Sequence, residues 1–157
     1  MKANDLSKAL QLEMAAHAAR CWPGECCGVL TSDREGALRY TPIANIAGSG
    51  AAQGTSSRTV NDGYVMDPKE LMAALDEADG RGGGLAAVVH SHPEVGAYFS
   101  AEDRRAALGG GDEPLWPGIG YVVLSCRGGK VDDAKLFVWN SVANDFTEEA
   151  LSLLPAD

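Results

Sequence analysis

Apolar positions recur at helical spacing from Asp5 to Arg20, where Leu6, Leu10, Met14 and His17 or Ala18 fall on one side. That segment predicts a helix, broken by Trp22-Pro23-Gly24. The pattern then shortens. CCGVLT, from Cys26, reads as a short buried strand, and ALRYTPI, from Ala37, as its hairpin neighbour across SDREG. DPKELMAALDEADG is helical, with Asp67 as N-cap, Pro68 at the first position and Gly80 near the end. LAAVVHSH is an apolar strand running into two histidines. SAEDRRAAL is a capped helix ended by GGGDEP. GIGYVVLSC predicts a central strand and DDAKLFVWN another. TVNDGYVM, from Thr59, reads as a further strand, and the tail DFTEEALSLL as a final helical turn or two. Ala47 to Ser57 is a loop by its Gly and Ser content, either a plain solvated linker or a flap over a substrate. Helices and strands alternate, which predicts an α/β or α+β domain around one mixed sheet.

The chain has 157 residues, 45% of them hydrophobic, which suits a single domain over 1–157 with a proper core. Its net charge of −9 argues against nucleic acid or an anionic membrane surface as a partner. No apolar run is long enough to span a bilayer, and the polar N-terminus does not read as a signal peptide. Cys21, Cys26, Cys27 and Cys126 fit no disulfide scaffold, so the expected setting is reducing and cytoplasmic. The oligomeric state is left open.

Two of the three histidines stand one residue apart, in VVHSHPEVGAYFSAEDRRAA. On an extended strand, residues i and i+2 point the same way. Pro93 disfavours the helical region for His92. Both imidazoles therefore project from one face at a strand end, a geometry for two nitrogen ligands on one zinc. A catalytic zinc needs a third protein ligand and an open position for water. Asp103, on the first turn of the next helix, is the candidate. Two neutral imidazoles and one carboxylate leave the ion net positive, which lowers the pKa of bound water toward ~7. Ser100 and Asp103 also form a helix-capping pattern, and that plainer reading of Asp103 stands beside the first. Capping does not explain the histidine pair.

A carboxylate held beside the water, without ligating the metal, would carry the proton to a leaving amine. Glu25, in WPGECCGVL after the helix-breaking turn, is the candidate; its plainer reading is an exposed turn residue. Cys26 and Cys27 suggest a thiol nucleophile, against the simpler reading as small buried strand residues.

Together, Glu25 in its P-x-E-x-C-G context, His90-Ser-His92-Pro, and Ser100-x-x-Asp103 resemble the JAMM motif of the MPN+ (JAB) zinc metallopeptidase family, stand-alone bacterial type. Asn45 in PIANIA resembles an asparagine carried after the second strand, and YVVLS and LFVW resemble the closing strands. The resemblance spans roughly residues 6–140. It implies a cytidine-deaminase-like sandwich, a curved mixed β-sheet flanked by helices. It implies one zinc per chain on His90, His92 and Asp103, with Glu25 as general acid/base. It also implies that the Ser100 hydroxyl donates to the oxyanion, a role that would compete with helix capping. Each histidine is expected to be oriented by an acceptor on its other ring nitrogen. The implied reaction is hydrolysis of an amide or isopeptide bond, at the Gly-Gly tail of a small ubiquitin-like or sulfur-carrier protein or its cysteine adduct. A non-catalytic scaffold of the same fold is the alternative, and a deaminase on a related fold lacks its expected Cys-x-x-Cys ligands.

Overall fold

The computed structural model describes residues 1–49 and 59–152. Ser7 caps the first helix, α1 (Lys8–Cys21), by accepting a hydrogen bond from the Leu10 amide, and a short 3₁₀ turn over Ala3–Asp5 precedes it. The hairpin predicted next forms as β1 (Cys27–Ser32) and β2 (Leu38–Ile43). Asp67 caps α2 (Pro68–Gly80), accepting from the Lys69 and Glu70 amides. Then come β3 (Gly84–Pro93), α3 (Ala101–Leu108), β4 (Gly120–Arg127), β5 (Lys130–Asn140) and β6 (Asp145–Ala150).

The six strands form one mixed sheet in the order β2-β1-β3-β4-β5-β6. Only β3 and β4 run parallel, joined by the connection that carries α3. Alternation along the strands divides the core into two layers. Leu30, Val89, Val122 and Leu136 face α1 and pack with Met14 and Ala18. On the opposite face Cys27, Val29 and Ile43 meet Ala74 of α2, and Val88, Tyr121, Val123 and Phe137 meet Ala107 of α3. Gly28 has a definite packing reason: a Cβ there would lie 2.6 Å from the Tyr40 ring. Tyr40 in turn bonds His17 of α1 through its hydroxyl, at 2.7 Å from Nδ1, which makes His17 a structural residue.

Two expected elements differ. Thr59–Met66 is not a strand. Its Asn61-Asp62-Gly63 sequence favours turns, and Asp62 accepts from the Thr59 amide at 2.7 Å, so only an isolated bridge between Met66 and Asn45 remains. The tail is not helical over Asp145–Ala150 but pairs antiparallel with β5. Helix propensity from Glu and Ala loses there to Phe146, whose ring packs 4.8 Å from Phe99 and 5.2 Å from Trp139. Most of the loop read as a possible flap, residues 50–57, lies outside the described residues.

Candidate metal centre

His90 and His92 end β3 on the face that also carries Val88 and α3. Both are buried. The pattern expected of alternate strand positions is met, since the two Nε2 atoms lie 3.2 Å apart. Asp103 completes a triangle: its Oδ1 is 3.2 Å from His90 Nε2 and its Oδ2 is 3.3 Å from His92 Nε2. Ligands at about 2.0–2.1 Å from a tetrahedral zinc stand about 3.3–3.4 Å apart, so the three donors match one face of such a tetrahedron. The chemistry fits as well, with two imidazoles and one carboxylate. Glu25 stands beside this triangle, its carboxylate within 4.8 Å of one nitrogen of each histidine. It is only 7% exposed, which excludes the reading as a solvated turn residue.

Asp103 serves the helix and the triangle at once. Its Oδ2 accepts from the Ser100 amide and its own amide donates to Ser100 Oγ, both at 3.0 Å. Burial, the largest single influence, pushes its carboxyl pKa up. The two imidazoles and the Ser100 amide together outweigh it, and Asp103 sits well below the usual carboxylate range. For His92, burial pulls downward, but Asp103 and the Gly96 carbonyl prevail and leave the imidazole above its ordinary value. Capping uses a lone pair of the Ser100 oxygen and leaves its proton to donate. The two roles expected to compete for that hydroxyl are therefore compatible.

The second-sphere expectation holds for one histidine only. His92 Nδ1 pairs with the Gly96 carbonyl at 3.0 Å. His90 Nδ1 is buried with no hydrogen-bond partner among the described residues. Instead the Tyr64 ring stacks on His90, with centroids 4.7 Å apart and planes at 27°.

Ser91 and Tyr64 escaped sequence reasoning, whereas Asn45 entered it through the family resemblance alone. Ser91, between the two histidines, points the other way, and its Oγ accepts from the Cys26 amide at 2.8 Å. It thus ties β3 to the segment carrying Glu25. The alternation that pairs the histidines already implied this opposite direction. Asn45 donates to the carbonyls of Glu25 and Gly63 and accepts from the amides of Ala47 and Val65, each at 3.0 Å. Tyr64 carries no local signal. The thiol-nucleophile reading fails: Cys26 and Cys27 are 1% and 0% exposed, Cys26 lies in the layer facing α1, the Cys27 thiol donates to the Ile43 carbonyl, and burial pushes both thiols up.

Above the triangle lies a cleft of about 540 Å³, bounded by Asn61–Val65 on one side and by Val95, Tyr98, Ser100 and Glu102 on the other. Carboxylates from Glu25, Asp62, Glu102 and Asp103 line it, with no Lys or Arg among the described lining residues. A smaller apolar cavity of about 180 Å³, walled by Leu115, Trp116 and Tyr121, shares Tyr64 and Asp103 with the cleft. The loop bearing Trp116 is thus a wall of that cavity.

This sheet, with a histidine pair at a strand end facing an acid-capped helix, is a JAB-type domain. Residues 7–141 match the model for prokaryotic homologues of the JAB domain, and the chain belongs to that family. It is 30% identical over 108 residues to a desampylase of Haloferax volcanii, across 68% of this chain and 66% of that protein. It is 32% identical over 89 residues to tail tip assembly protein K of Escherichia phage N15, across 57% of this chain and 30% of that protein. The chain thus spans just under two thirds of the first relative's length and under a third of the second's. Among solved structures, one from Desulfitobacterium hafniense superposes with a TM-score of 0.66 at 27% identity, over 92% of this chain and 88% of the other. A second, from Salinibacter ruber, gives 0.59 at 22% identity over the same shares and shares the fold.

Proposed function

We propose that the chain is a zinc-dependent metallopeptidase. Its substrate would be an amide or isopeptide bond at the Gly-Gly tail of a small ubiquitin-like or sulfur-carrier protein, or a cysteine adduct of that tail. The observation that carries the reading is the donor triangle, with edges of 3.2–3.3 Å, and Glu25 beside it. The likeness to a desampylase supports the substrate class.

His90 and His92 would hold zinc through Nε2 and Asp103 through its carboxylate. The bound ion would supply Lewis-acid polarisation of the scissile carbonyl and a more acidic water. Asp103 is fixed before any ligand arrives, because the capping box orients its carboxylate. Glu25, buried and outside the triangle, takes the proton of the attacking water and delivers it to the departing nitrogen. The Ser100 hydroxyl donates to the oxygen on which charge develops. The carboxylate-lined cleft disfavours acidic tails and free carboxyl termini. A diglycine tail joined as an amide carries neither charge nor Cβ, which suits this cleft.

The test combines metal analysis with intact-mass spectrometry of ubiquitin-like carrier proteins from the same source organism. Wild type should carry about one zinc per chain and remove mass at the carrier's C-terminus. Glu25→Gln should keep the zinc and lose cleavage by at least about 100-fold, the lower range for a positioned acid/base. Cleavage by Glu25→Gln at the wild-type rate would overturn the mechanism.

A further inference from the structure

We infer that Tyr64 is the positioning residue for His90, fixing by ring stacking an imidazole whose Nδ1 has no hydrogen-bond partner among the described residues; the inference builds on the metal-site reading above. An imidazole that ligates through Nε2 presents an N–H at Nδ1. An acceptor on that atom ordinarily fixes the ring's rotation. The Gly96 carbonyl does this for His92. His90 has no such acceptor among the described residues, although its Nδ1 is buried.

Tyr64 supplies the missing restraint. Its ring lies nearly parallel to the imidazole, within the range of an offset stack. Rotation of His90 about its Cβ–Cγ bond would drive a ring edge into the phenol face. The phenol is itself held from both sides, because Asn45 bonds Gly63 and Val65, the two neighbours of Tyr64. The Ile46 amide adds a bond to the Val65 carbonyl at 2.8 Å. The same Asn45 amide holds the Glu25 carbonyl. One side chain thus sets the backbone of the base and the platform of a ligand. The requirement is for a ring face, not for the hydroxyl.

Tyr64→Phe and Tyr64→Leu separate these terms. Zinc affinity is measured by competition with a chelating dye, and ligand geometry by the visible spectrum of the cobalt-substituted protein. Ring orientation is measured in metal-free protein by long-range 1H–15N spectra of the histidines. Tyr64→Phe should match wild type in all three. Tyr64→Leu should lose about 10–100-fold in zinc affinity, shift the cobalt spectrum and broaden the His90 ring signals by exchange. If Tyr64→Leu does not fold, Tyr64→Met removes the ring face while keeping bulk. Unchanged His90 ring signals in the leucine or methionine variant would overturn the inference, as would a Tyr64→Phe protein as impaired as Tyr64→Leu. A wild-type protein that takes up no zinc would overturn the metallopeptidase reading alone, since the ring signals of metal-free protein still decide the role of Tyr64.

Discussion

A single carboxylate oxygen, Asp103 Oδ2, both accepts the Ser100 amide at 3.0 Å and faces His92 Nε2 at 3.3 Å. The two readings of Asp103 in the sequence, helix-start acid and metal ligand, are therefore one geometry. The capping box removes rotamer freedom that a free aspartate would lose on binding an ion. Ser100 is the other half of this arrangement. Ser100→Ala should lower unfolding free energy by about 1 kcal/mol, the ordinary loss for an N-cap, and slow cleavage by about 100–1,000-fold, as for other oxyanion donors. Ser100→Thr keeps both a capping oxygen and a donor, so denaturant titration and turnover should stay near wild type. Equal cleavage by Ser100→Ala would confine Ser100 to the helix.

At the scale of elements, the turn after β3 decides where His92 points. Glu94 adopts φ 65°, a left-handed conformation that side chains other than Gly rarely take. Its amide donates to the Cys126 carbonyl at 2.9 Å. Its carboxylate accepts from Trp22 Nε1 at 2.8 Å and the Gly128 amide at 2.7 Å. Ser125 Oγ donates to the Val95 carbonyl at 2.7 Å, and the turn then brings the Gly96 carbonyl back to His92. Glu94→Ala loses the clamp and keeps the backbone cost. Glu94→Gly loses the clamp but relieves that cost, so it should be the more stable of the two by about 1 kcal/mol in urea titrations. The reverse order would mean that the left-handed turn does not persist in solution. No local pattern announces this turn. α2 and α3 were legible because their caps, Asp67 and Ser100, lie within a few residues of the apolar positions, and α1 because of its apolar stripe and the Trp22-Pro23-Gly24 stop, its Ser7 cap going unread. Thr59–Met66 and the tail were misread because their partners, Asn45 and β5, are set by tertiary contacts.

At the scale of the molecule, the site gathers residues from three distant stretches, around Glu25, at the end of β3 and at the head of α3. Spacing disclosed the types of ligand, and the likeness to a family gathered them into one motif. The antiparallel register that sets Cys27 against His90 brings the Glu25 segment to the site, and only folding reveals it. Nor could composition show Tyr64 or Asn45, whose roles depend on where a loop crosses the sheet. Hydrophobic layers on both faces of the sheet and the capping box hold the triangle. Metal should therefore add to a fold already formed rather than create it. Ions that bind only the native state stabilise it by mass action, by about 2.7 kcal/mol at 100 times the dissociation constant. Chelator-treated wild type should unfold cooperatively in urea, and zinc at that excess should raise its unfolding free energy by about this amount. Asp103→Ala should remain folded, less stable for want of its capping box, and show little of the zinc increment. An equal increment in Asp103→Ala would place the bound zinc elsewhere on the chain. A chelated wild type with no cooperative transition would make the ion a part of the fold itself.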